Sequence, residues 1–118
     1  MVIKISITKQ NITFIGAVLE EIKVDLRELI KQHVVVNGKD KRFELLDRIV
    51  NLYNIEKFHL ALAKKAHEVQ NEPAGKGYNF SVDLNYVRTM VEEFKHVDST
   101  FVHYKVFNDF LIALLKKV

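Results

Sequence analysis

Cysteine is absent from all 118 residues. That excludes a disulfide framework, a thiolate zinc site, a thiol nucleophile and a dithiol redox pair. Long hydrophobic runs are missing too. The greasiest stretch, Phe110-Leu111-Ile112-Ala113-Leu114-Leu115, falls far short of the ~20 residues that a membrane helix needs. The N-terminus, Met1 to Thr8, is apolar only at alternate positions and does not read as a signal peptide. The expectation is therefore a cytoplasmic, soluble protein without membrane contact. Asn11-Ile12-Thr13 and Asn79-Phe80-Ser81 match the glycosylation pattern, but in that setting both read as accidents.

No sign of charge dominates. The net charge is +3 and the isoelectric point about 9.1, which permits an acidic partner without demanding one. Basic and acidic residues number five and four over 1–38, seven and five over 39–70, three and five over 71–98, and three and one over 99–118. With no basic tail, any positive patch has to be assembled by folding.

Several catalytic signatures are missing. The phosphate-cradling pattern around Gly75-Lys76 would need Gly at Gln70 and Ser or Thr at Gly77. The zinc-hydrolase pattern begins at His67-Glu68 but meets Asn71 where the second His is required. No nucleophile elbow surrounds Ser6, Ser81 or Ser99. The chain reads as a non-enzyme without a cofactor.

What is present suits one core. The apolar fraction is 48% and the charged fraction 28%, enough to offset chain entropy in a single domain spanning 1–118. Ile3, Ile5 and Ile7 alternate with Lys4, Ser6 and Thr8, a short strand signal. Such a strand could be exchanged between subunits. From Ile12 the spacing becomes helical, with Ile15, Leu19, Ile22, Leu26, Leu29 and His33 on one face. Asn11 is the candidate cap, Gly16 the soft point, and Asn37-Gly38 the stop. A ribbon-helix-helix arrangement, with Lys4, Ser6 and Thr8 facing DNA, fails because the stripe runs through 22–26 without a turn.

Asp40 can cap a second helix carrying Phe43, Leu46, Ile49, Val50 and Tyr53 inward. The pattern then slips by two residues to Ile55, Phe58, Leu62, Ala66 and Val69, which predicts a corner and a third helix capped by Asn54. The single Pro and two of the four Gly fall within 70–79, so a loop is expected at about 70–80. A fourth helix follows Ser81 or Asp83 with Leu84, Val87, Val91 and Phe94 as its stripe. A fifth starts at Asp98-Ser99-Thr100. The expected fold class is all-α, a bundle of about five helices with a short N-terminal β-strand.

Three candidate sites follow. Nine of the last thirteen residues are apolar, so Phe107, Phe110, Leu111, Leu114 and Leu115 are candidates for an interface with another subunit or protein. Lys76 beside Tyr78 and Phe80, with Lys39, Lys41, Arg42, Lys64 and Lys65, could contact a nucleic-acid backbone and stack a base. The plainer account of Tyr78 and Phe80 is that they anchor a crossing loop to the core. Glu56-x-x-His59 and Glu93-x-x-His96 have the spacing that aims carboxylate and imidazole at one metal, as in di-iron bundles, with Glu20 or Glu21 and Glu44 as further ligands. Solvated surface side chains account for them more simply. The leading expectation is a non-enzymatic interaction protein, an oligomerising adaptor or accessory subunit. A nucleic-acid-backbone binder comes second and a carboxylate–histidine metal bundle third.

Overall fold

The alternating isoleucines form the strand β1 (Val2–Thr8). The chain passes from it straight into the helix α1 (Lys9–Val36). Thr8 Oγ1 accepts the Asn11 amide at 3.2 Å, so the cap is Thr8 and not Asn11. The helix also runs through Gly16 unbroken. The computed structural model describes residues 1–36 and 42–118, the side chains of 33–36 and 42 excepted. The His33 side chain, the Asn37-Gly38 stop and the Asp40 cap lie outside what is described.

The next element overturns an expectation. Residues expected to form two helices with a corner form one continuous helix, α2 (Arg42–Glu68). Neither Gly nor Pro stands near 53–55, and nothing else there interrupts the hydrogen-bond ladder. A two-residue slip in an unbroken helix turns the apolar face by about 200°. Ile55, Phe58 and Leu62 enter the core, while Phe43, Leu46, Ile49, Val50 and Tyr53 are exposed. They were expected to point inward.

Part of the expected loop is a strand. β2 (Gly77–Asp83) pairs antiparallel with β1 in the same chain, from Val2 opposite Asp83 to Thr8 opposite Gly77. The Leu84 amide donates to the Met1 carbonyl at 3.0 Å and extends the ladder. Tyr78, Phe80 and Val82 face the core beside Ile7, Ile5 and Ile3. Gly75, at φ +83°, provides the left-handed step of the turn before it.

Asp83 then caps α3 (Leu84–Phe94), accepting the Asn85 amide at 2.8 Å. Val87, Met90 and Phe94 are buried, and Val91 is not. Met90 therefore holds the core position expected for Val91. Asp98 accepts both the amide and the hydroxyl of Thr100 at 2.9 Å, closing a turn and not opening a helix. The last helix, α4 (Tyr104–Leu115), begins a turn later. The described residues thus form four helices and a two-stranded sheet where about five helices were expected. None of the helices is long and apolar enough to cross a membrane.

The core gathers residues from all six elements. Phe58, 1% exposed, is its hub, with ring centroids of Phe80, Phe110 and Tyr86 at 5.9, 6.1 and 6.4 Å. α1 and α2 run antiparallel, pinned by Arg27–Glu56 at 2.8 Å and by His59 Nδ1 at 3.8 Å from Glu20. None of residues 43–54 is buried. The first half of α2 therefore projects past the core, consistent with dimensions of 51 × 30 × 24 Å.

Candidate interaction surface

α2 carries two heptad seams. Leu52, Ile55, His59, Leu62 and Ala66 repeat at 3-4 spacing on the side that carries the buried Ile55 and Leu62, with Leu45 one heptad before Leu52. Phe43, Leu46, Val50, Tyr53, Lys57 and Leu60 repeat at the same spacing two residues out of step. They therefore occupy the opposite side of the helix. The outer seam is open along its whole length: Phe43 is 85% exposed, Leu46 54%, Val50 48%, Tyr53 58% and Leu60 65%. Its one charged member, Lys57, holds its ammonium 5.3 Å from the Tyr53 ring centroid, a weak exposed cation–π contact. Exposed Ala61 and Ala63 flank Leu60 with minimal bulk.

Beside this seam lies a polar groove of about 460 Å³ between α2 and α3, lined by Asp47, Val50, Asn51, Asn85, Arg88 and Glu92 among others. Its floor holds the two helices together. Asn51 Nδ2 donates to Glu92 at 3.2 Å and to Glu93 at 2.8 Å, and Asn54 Nδ2 donates to the buried Thr89 hydroxyl at 3.0 Å. These bonds fix the rotation of α2 about its own axis, and with it the direction in which the outer seam faces.

The expected interface on the last helix is placed differently. Phe107, Phe110, Leu111 and Leu114 are buried in this chain's own core, and only Leu115, at 50%, is exposed. α4 packs against α1, α3 and β1, which covers those four residues and leaves Ile112 and Leu115 partly open.

Of the expected metal ligands Glu20 and His59 come together, at 3.8 Å, and the carboxylates of the two Glu-x-x-His pairs are engaged elsewhere. Glu56 binds Arg27, Glu93 accepts from Asn51, and His96 is exposed. His59 sits against Gly16, where a Cβ would meet its Nε2 at 3.7 Å. Burial holds the His59 pKa below its ordinary value and nearby Lys23 adds to this, while Glu20 opposes both. Among the described residues no three His, Asp or Glu side chains gather where they could hold a metal ion.

Of the basic candidates, Lys39 and Lys41 lie outside the described residues, as does the Arg42 side chain. Lys64 is exposed, and Lys65 is 3.6 Å from Glu68. Because α2 is one rod, Lys64 is about 33 Å along it from the backbone of Arg42. Lys76 reaches to 5.9 Å from the Tyr78 ring. Tyr78 is half-buried against the core and donates its hydroxyl to the Pro73 carbonyl. Burial, with Glu72 nearby, pushes the phenol's pKa up. Tyr78 and the buried Phe80 act as anchors of the crossing segment.

The sequence pattern taken one half of α2 at a time gives each half a single inward face and so hides the outer seam. Its signal is legible in retrospect. The outer 3-4 pattern runs on to Lys57 and Leu60, past the point at Leu52 where the inner one begins, and a helix without a break can bury only one of them. No protein-family model, curated protein or solved structure matches the chain.

Proposed function

We propose that this chain is a non-enzymatic helical interaction protein, an oligomerising adaptor or accessory subunit, that receives a partner helix on the outer face of α2. The observation that carries the reading is the open heptad seam from Phe43 to Leu60. A narrow a/d stripe is the form of apolar surface that packs against a helix, knobs into holes. The chain's own helices leave this stripe uncovered, and contiguous exposed apolar surface of this kind marks interaction sites. The interface moves by this reading from the last helix, whose residues the core consumes, to the second.

A photo-reactive residue tests it. Placed at Val50 in the living cell, it is expected to give a discrete covalent adduct with a protein. The same residue at Glu28, exposed on α1, is expected to give none. Absence of an adduct at Val50, or equal adducts at both positions, would overturn the reading.

A further inference from the structure

We propose that the occupant of the outer seam is a second copy of this chain, docked through α2 in antiparallel orientation. The inference rests on the docking reading of the same face and names its partner. Three observations carry it.

The first is self-complementarity. A two-fold interface requires that if one residue meets another, the reverse contact also occurs. The six seam residues are arranged symmetrically about the bond between 51 and 52. Running two copies antiparallel sets Phe43 against Leu60, Leu46 against Lys57 and Val50 against Tyr53, each contact made twice. A large side chain always faces a smaller or more flexible one, and no position along the seam is left over.

The second is charge. In antiparallel packing Lys57 of one copy enters a hole formed by Phe43, Leu46, Asp47 and Val50 of the other. Among the described residues Asp47 makes no ion pair, so its carboxylate is open to the incoming ammonium. The Lys57 stem covers Leu46 while its head reaches that carboxylate at the rim. A parallel pair would instead bring the two Lys57 ammonium groups face to face in the seam. The single charged seam residue, paired with Asp47 at the rim, therefore selects the orientation, since flanking charge pairs set the orientation of paired helices.

The third is area. The exposed parts of Phe43, Leu46, Ile49, Val50, Tyr53 and Leu60 offer roughly 700 Å² per copy, so that covering them in full would bury about 1,400 Å² for the pair, within the range of stable specific interfaces. Ile49 lies outside the strict seam, and the antiparallel register gives it a role. With Leu46, Val50 and Tyr53 it closes the hole that receives Tyr53 of the second copy.

The test uses the full chain, in which any introduced cysteine is the sole thiol. Sedimentation equilibrium is expected to show a dimer. Val50→Asp is expected to weaken it by at least about a hundredfold, because two carboxylates are then buried without partners. Lys57→Glu is expected to weaken it as well, and Asp47→Lys added to Lys57→Glu to restore it. Since all three substitutions lie on exposed positions, circular dichroism of the diluted variants is expected to show that each still folds. Mixing Phe43→Cys with Leu60→Cys under mild oxidation is expected to give the mixed disulfide and little of either homodimer. A Phe43→Cys homodimer would overturn the antiparallel orientation, because the parallel pair alone brings those residues together. A strict monomer at high concentration would overturn the second copy as occupant. In that event a Val50 photo-adduct whose mass is that of a different protein would still uphold the docking reading. With no adduct at all, both would fall.

Discussion

Phe43 and Phe58 are the same residue on the same helix, fifteen positions apart, and they should respond oppositely to truncation. Phe58 is 1% exposed and touches the rings of Phe80, Tyr86 and Phe110, so it ties α2 to β2, α3 and α4 at once. Truncation of a buried Phe costs about 3–5 kcal/mol in lost transfer free energy and residual cavity. The three aromatic contacts, each worth about 0.5–1.5 kcal/mol beyond area, place Phe58→Ala in the upper part of that range. For a chain of this length that is a fall in melting temperature of about 15 °C. Phe43 is 85% exposed, and Phe43→Ala should stay within about 0.5 kcal/mol of the parent. Urea unfolding followed by circular dichroism measures both. It should be run at a dilution where the chain does not associate, so that loss of an intermolecular contact cannot pass for loss of stability. Similar shifts for the two variants would refute the continuous α2. They would mean that the helix breaks near residue 54 and turns its first stripe inward.

Two further outcomes follow from single side chains. Because burial holds the His59 pKa down in the folded chain, the unfolded chain takes up that proton more readily. His59 therefore contributes stability in full above the unfolded value near pH 6.5, and this is lost as pH falls through the folded pKa. The His59→Gln variant should lose less stability than the parent between about pH 7 and pH 5.5. An imidazole NMR titration midpoint at or above ~6.5 for His59 would contradict this. Asp83→Ala removes the cap of α3 and should cost about 1 kcal/mol in thermal unfolding, with Asp83→Asn close to the parent. Equal losses in the two variants would show that the carboxylate's charge, and not the cap hydrogen bond, is what matters.

What the sequence determined by itself was the content of each local window. The 3-4 spacing of Ile15, Leu19, Ile22 and Leu26 needs no tertiary partner to specify a helix, and neither does alternation in Ile3, Ile5 and Ile7 to specify a strand. Asp83 before Leu84 likewise marks a helix start, because capping is a contact between neighbours. Three decisions lay beyond any window. β2 exists because β1 is there to pair with it; Tyr78, Phe80 and Val82 between a glycine and a cap are too short a signal alone. Phe107, Phe110, Leu111 and Leu114 of the last helix are buried because α1, α3 and β1 converge on it, which its own apolar residues could not distinguish from a surface awaiting a partner. The third is the slip at Tyr53–Ile55, which by pattern alone predicts a break. A slip in pattern is compatible with a corner that turns both stripes inward or with a straight rod that leaves one outside. The backbone there contains nothing that stops a helix, so the rod forms. Only the position of α1 and α3, with Asn51 and Asn54 bonded across to Glu92, Glu93 and Thr89, selects which of the two stripes is buried. The stripe left over became the candidate site.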